Sequence, residues 1–332
     1  MEKSVANKYS LIETQPPPQY KTSFFKNLKI EMNKIIVVVG ATGNLGSKIV
    51  NALLAKGAEV RAIVRLETDT EKINILEQKG VKVFQVDTSK TSEISKHCIG
   101  ADCVVSALAG LRETVIDAQK IVLDAAVEAN VKRFIPSDYS TDFTNLIVGQ
   151  NRNLDWRREF HQYLDKANIK ATTIFNGAFM NLLTTDMPLI LFKKQRILCW
   201  GNPNQIMEFT TTDNIAEFTA EAALDDDTPR YLRIAGDRLS CNDFVKLLKE
   251  LTGKDYKIFR PGGIGLFNMV IKLTRFFSPS RNELYPAWQG MQYMRDMMEG
   301  RVIFQKYDNV RYAKLKWTSI KDYLIKEQVN LK

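Results

Sequence analysis

From Ile35 to about residue 175 the chain alternates short apolar runs with longer stretches of helical period, the rhythm that βα units produce. The runs lie at 35–39, 59–64, 81–86, 103–107, 132–135 and 171–175, and the helical stretches at 44–56, 70–79, 111–129 and 151–167. Ile35-Ile36-Val37-Val38-Val39 is apolar at every position, so both of its faces should be covered, as in a parallel sheet with helices on either side. The expected fold is α/β, a doubly wound parallel sheet. After residue 180 the pieces shorten to an apolar 187–192, strand-like 196–200 and 230–234, helices at 213–224 and 240–252, and an irregular basic tail. These predict a smaller C-terminal α+β substrate lobe over the carboxyl ends of the strands. The expected division is 32–180 for the sheet domain and 181–332 for the lobe, interleaved with that domain, and the tail. Residues 1–31 are polar and aperiodic around Pro16-Pro17-Pro18 and read as a disordered extension without the apolar core of a secretory signal; Met32 is an alternative start.

Composition removes several classes. Of 332 residues, 45% are hydrophobic and 26% charged, which suits a packed core and not a disordered or collagen-like chain. Four cysteines without a CxxC pair and only two histidines, His97 and His161, argue against structural zinc and against a disulfide framework, so no metal is expected. The formal net charge is +9, and the segment from Lys254 to Lys332 holds 15 basic against 7 acidic residues. Nearly all the excess therefore belongs to the last quarter of the chain. No apolar stretch reaches the roughly 18 residues of a membrane span, so no stable membrane insertion is expected. With no recognisable reading module, no nucleic-acid partner is expected either, and the location is expected to be cytoplasmic.

The strongest local signal is Gly40-Ala41-Thr42-Gly43-Asn44-Leu45-Gly46, directly after an apolar strand and opening a helix. Gly40 permits the tight turn, Gly43 lets the backbone approach a pyrophosphate, and Gly46 lets helix and strand pack closely. The helix N-terminus then faces the phosphates. The second strand ends in Arg65, where an NAD-specific site would carry an acidic residue, and no carboxylate follows until Glu67. A guanidinium there offers two donors to a 2′-phosphate, so NADP(H) is the expected cofactor. Asp87, closing the third strand, is either near the adenine edge or a turn cap. Ser106 and Leu108 should flank the middle of the cofactor, and Ser137 and Tyr139 stand at the tip of the fifth strand, which topology puts near the nicotinamide.

These segments, together with Arg133-to-Ser140 and Asn176-Gly177-Ala178-Phe179, resemble the NmrA-like, isoflavone-reductase-like group of atypical short-chain dehydrogenases. Thr212-Asp213-Asn214-Ile215-Ala216 and Arg230-Tyr231-Leu232-Arg233-Ile234 are similar to its C-terminal lobe, so the resemblance covers about 33 to 258. It implies an NADP(H)-binding Rossmann domain with a small substrate lobe, and adds Asn176 to the cofactor-binding set. Members include reductases of aromatic, lignan and isoflavonoid substrates, quinone reductases, and cofactor-sensing regulators. Where the reductases carry a lysine that serves the chemistry, this chain has Arg157. Arginine cannot act as a general base, but it can polarise a carbonyl oxygen. The Tyr-x-x-x-Lys pair of ordinary short-chain dehydrogenases is missing, since Phe143 stands four residues after Tyr139.

Two further candidates accompany Arg157. His161, one turn later, could share a cleft-facing side and relay a proton, against the reading of a surface histidine on a polar helix. Tyr139 could donate its phenolic proton, against the reading of a packed aromatic. Phe179 and Met180 fit an apolar wall, or simply core. The segment from Gly262 to Phe277 reads as an interfacial helix, a flap or an ordinary packed helix. Tyr285-to-Met294 fits core packing, a pocket lining or a contact between two copies in a homodimer. The expected function is NADPH-dependent hydride transfer to a small apolar carbonyl, enone or quinone; the alternative is a non-catalytic NADP(H)-sensing regulator.

Overall fold

Strand β1 (Ile35–Val39) lies at the centre of the main sheet, with Ile36 and Val38 pointing into one apolar layer and Val37 and Val39 into the other. The computed structural model describes residues 33–185 and 187–327, so the extension expected at 1–31 lies outside the described residues. Five parallel strands flank β1: β2 (Glu59–Arg65) and β3 (Lys82–Val86) on one side, β4 (Cys103–Ser106), β5 (Arg133–Ile135) and β6 (Lys170–Ala171) on the other. The order β3-β2-β1-β4-β5-β6 is the doubly wound one, and the reversal of chain progression falls between β1 and β4. Ligands bind outside the carboxyl ends of strands at such a point.

Helices α1 (Asn44–Ala55) and α2 (Thr70–Gln78) put Ile49, Val50, Leu53 and Leu76 into the layer of Ile36 and Val38. On the other face, α3 (Thr91–Cys98), α4 (Gln119–Glu128) and α5 (Arg152–Leu164) bury Ile94, Leu123 and Phe160. Periodicity did not single out α3, which has only Ile94 and Cys98 as its apolar pair at i and i+4. The helix expected over 111–129 begins as a π-helical turn, Glu113–Ala118. Gln119 stabilises that widening, since its amide nitrogen donates to the Val115 carbonyl at 2.9 Å.

The run 171–175 divides between two sheets. Lys170 and Ala171 pair with β5, whereas β7 (Thr173–Phe175) pairs with β12 (Tyr231–Arg233). Pro136, which follows β5, has no amide to extend the ladder. The lobe also holds a sheet of β8 (Ala178–Phe179), β11 (Met207–Thr210) and β13 (Asp237–Leu239), and another of β9 (Ile190–Leu191), β10 (Arg196–Trp200) and β14 (Lys257–Gly262). Between them, α6 (Thr212–Leu224) returns to the main sheet, burying Ile215 and Phe218 in the same layer as α1. Past α7 (Cys241–Thr252) the expected irregular tail is a correction: it contains β14 and the helices α8 (Ile264–Phe277), α9 (Ala287–Glu299) and α10 (Ile320–Lys326).

Candidate functional site

The site is built where β1 turns into α1. Gly40 has φ +89°, and a Cβ there would stand 2.7 Å from the Ala107 carbonyl oxygen; a Cβ on Gly46 would run into the Gly40 carbonyl. Glycine alone fits both positions. Helix α1 starts from Gly43 with no side chain capping its first turn and no acidic residue in it. The amides of Asn44 and Leu45 thus keep donor capacity, and the positive end of the helix dipole lies beside exposed Gly43 and Asn44. Ala41 is buried behind the loop and Thr42 half-buried.

Several of the expected residues lie at the carboxyl ends of the strands. Arg65 ends β2 with its side chain 71% exposed, and its ion pair with Glu67 is a loose 3.5 Å. Ser106 ends β4 opposite Val39; its hydroxyl is buried without a partner, as is the Asn176 side-chain oxygen. Buried polar atoms are normally paired, so these two oxygens stand as exceptions at the carboxyl ends of β4 and β7. Asp87 closes a turn, accepting from the Ser89 amide at 3.0 Å and the Ser89 hydroxyl at 2.6 Å. Those bonds, with Lys90 beside it, bring its pKa down to about 2. The Ser137 hydroxyl donates to the Leu108 carbonyl at 2.5 Å, and its amide donates to Gln119 Oε1 at 2.8 Å. Ser137 therefore clamps the tips of β4 and β5 together.

Below the β5 tip lies a buried polar cluster centred on Asp138. Asp138 Oδ2 is 2.6 Å from His161 Nε2 and accepts from the Thr173 hydroxyl at 2.8 Å. Arg230 donates Nη1 to that same hydroxyl at 2.8 Å, and its Nη2 lies 3.2 Å from His161 Nδ1. A guanidinium can only donate, so Nδ1 accepts and Nε2–H is the proton that His161 offers to Asp138. Burial opposes ionisation of Asp138, yet His161, Arg157 and Thr173 outweigh it and hold the carboxyl below its usual range. Asp138 Oδ1 and Arg157 Nε are both buried without a hydrogen-bond partner, while Arg157 Nη1 donates to the Asn153 carbonyl at 3.1 Å.

Burial separates the alternative readings at three positions. His161 is no surface residue: it is buried, with both ring nitrogens engaged, because this face of α5 turns toward Asp138 and not toward water. Its outer side borders a cavity of about 220 Å³ that Phe143, Arg158 and Tyr231 also line. Tyr139 packs into the apolar layer of Ile135, Ile215 and Phe218, and burial raises its hydroxyl's pKa. The Thr219 hydroxyl near it donates instead to the Ile215 carbonyl at 2.7 Å. The Tyr139 hydroxyl itself is buried without a partner, which agrees with the packed-aromatic reading. Met180 is fully buried, leaving Phe179 as the half-buried member of the pair.

Helix α9 and the loop before it pack on the N-terminal end of α5. Asn151, the N-cap of α5, donates to Asp296 at 2.7 Å and accepts from Gln289 at 2.8 Å. The Arg152 guanidinium lies 4.7 Å from the ring centroids of both Trp156 and Trp288, and donates to the Glu283 carbonyl at 3.0 Å and the Leu284 carbonyl at 2.9 Å. Trp288 and Met294 are core, whereas Tyr285 is exposed. Burial pushes the Tyr293 hydroxyl up to about 12, with Arg157 acting in the opposite direction. Asp138, Gln119, Thr173 and Arg230 had no assigned role in the sequence reading.

A family model described as the NmrA-like family matches residues 32–324. Over 240 residues the chain is 29% identical to pinoresinol reductase 1 of Arabidopsis thaliana, covering 66% of this chain and 75% of that one. A solved structure of AtPrR2 with NADP+ and (+)-pinoresinol superposes with a TM-score of 0.74 at 24% identity, covering 88% of this chain and 98% of that one. An isoflavone reductase structure gives a TM-score of 0.75 at 20% identity, covering 89% and 99%.

Proposed function

The chain belongs to the NmrA-like family, and from that premise we propose that it is an NADPH-dependent reductase delivering hydride to a small, largely apolar carbonyl, enone or quinone. The observation that carries the reading is the Gly40–Gly46 cradle, with uncapped first-turn amides in α1 and no room for a Cβ at Gly40 or Gly46. The relatives support it: the names they carry are pinoresinol reductases, and the AtPrR2 structure holds NADP+. The non-catalytic sensor is not favoured, because these relatives carry reductase names.

In this reading the amides at Asn44 and Leu45, with Gly40, Thr42, Gly43 and Gly46 shaping the loop, hold the pyrophosphate. Arg65 exchanges its loose contact with Glu67 for the 2′-phosphate; an exposed pair of that kind contributes little and is readily displaced. Ser106 and Asn176 satisfy their buried oxygens on the bound cofactor. When bound, the reduced nicotinamide supplies the hydride. Arg157 polarises the acceptor's oxygen from α5, and its permanent charge does the work without a proton to give. Asp138, His161 and Arg230 fix α5 against β5 and β7 and so orient Arg157. The reduced product takes its proton from solvent, which a quinone or enone tolerates. Ser137 and Asp87 belong to the frame that shapes the pocket.

The partner is a small molecule, with no nucleic acid; a cytoplasmic location completes the proposal, and a homodimer is compatible with it. Among the described residues no helix is long and apolar enough to cross a membrane. The test is NADPH consumption across a panel of quinones, enones and aromatic aldehydes. Turnover with at least one apolar acceptor is expected, and cofactor binding without turnover on any of them would refute the reading.

A further inference from the structure

Helix α8 is apolar on two opposite faces. Phe267 and Ile271 turn inward, and Phe267 stacks on Trp200 with ring centroids 4.4 Å apart. Leu266, Met269, Leu273, Phe276 and Phe277, which share the outward face, are all exposed, the two phenylalanines at 78% each. Phe259 on β14, an edge strand, adds to the exposed apolar surface at 49%. A contiguous outward apolar arc of this kind on a water-facing helix marks a contact surface.

The surrounding charge indicates what it contacts. Between residues 257 and 282 the chain carries five basic residues, Lys257, Arg260, Lys272, Arg275 and Arg281, and no acidic one; all five are exposed. We infer that this face adsorbs on an anionic lipid bilayer, with Phe276 and Phe277 entering the headgroup boundary and the flanking cations meeting the headgroups. A second copy docked two-fold on the same face would bring two copies of this wholly basic segment together, with no carboxylate between residues 257 and 282 to neutralise them. A bilayer supplies apolar depth and negative charge together. Adsorption, not insertion, follows from the 14-residue length of α8 and its packed inner face. This inference does not rest on the reductase reading, since neither cofactor nor turnover enters it.

The test is co-sedimentation of the full chain with phosphatidylcholine vesicles, with and without about one third phosphatidylserine. Binding is expected only to the anionic vesicles and should weaken severalfold in about 0.5 M salt. Replacing Phe276→Ser and Phe277→Ser together should weaken it at least about tenfold while leaving the melting temperature unchanged, because both rings are exposed. Arg260→Glu with Lys272→Glu should weaken it severalfold with both phenylalanines intact. The inference is overturned if anionic vesicles do not bind the protein or if both double variants bind like wild type. Sedimentation of wild type as a dimer that the Phe276→Ser, Phe277→Ser pair dissociates would also overturn it, assigning the face to a second copy.

Discussion

His161 Nε2 and Asp138 Oδ2 lie 2.6 Å apart with both side chains buried beneath the β5 tip. A carboxylate at that depth persists only because donors surround it. His161→Phe should remove the main donor and destabilise the fold by about 3 kcal/mol, with Thr173 left as the remaining bond. Urea unfolding checks this; a loss within error of zero would mean that the pair contributes nothing.

The same carboxylate gives stability a pH dependence. Its folded pKa is depressed, so the stability it contributes is fully present above the unfolded value of about 3.9 and is lost as pH falls through the lower folded value. Asp138→Asn should be less stable than wild type at neutral pH and should show a flatter decline on acidification. Unfolding curves across acid pH compare the two; parallel declines would contradict the assignment.

Arg65→Glu should weaken NADPH binding by about ten- to a hundredfold, since a carboxylate would repel the 2′-phosphate, while NADH binding changes little. Equal losses for the two cofactors in a titration would show that Arg65 does not read that phosphate. Gly46→Ala should weaken both cofactors alike, because its Cβ must displace the Gly40 carbonyl and open the loop.

Arg157→Met should lower the maximal rate by about a hundredfold with little change in NADPH affinity, because its charge acts on the acceptor. Arg157→Lys keeps a cation and should retain more activity than the methionine variant. Steady-state kinetics with cofactor titration separates the effects, and identical rates in all three proteins would remove Arg157 from the chemistry.

Sequence pattern exposed the parts of the fold whose forces are local. An all-apolar β1, the glycine loop and the amphipathic α1 each carry their signature within a dozen residues. In the lobe the strand-like 196–200 and 230–234 were legible as β10 and β12, whereas β8 and β9 are two residues long and β8 finds its partner, β11, far along the chain. Two of the three tail helices, α8 and α9, defeat the apolar-inside rule. Helix α8 is apolar on its exposed side, and α9 buries Gln289, Gln292, Arg295 and Asp296 against the N-terminus of α5. Within the site, glycine geometry was readable because it depends on neighbours in sequence. Asp138 was not, since its meaning comes from His161 and Thr173, 23 and 35 residues away.

The central claim, hydride transfer from NADPH to an apolar acceptor, is tested most directly by isotope. The purified chain is given NADPH deuterated at the transferring carbon with an acceptor on which it turns over, and the product is examined by mass spectrometry. One deuterium in the reduced product is the predicted result. Reduced product without cofactor-derived label, or cofactor bound and returned unoxidised with every acceptor, would contradict the account.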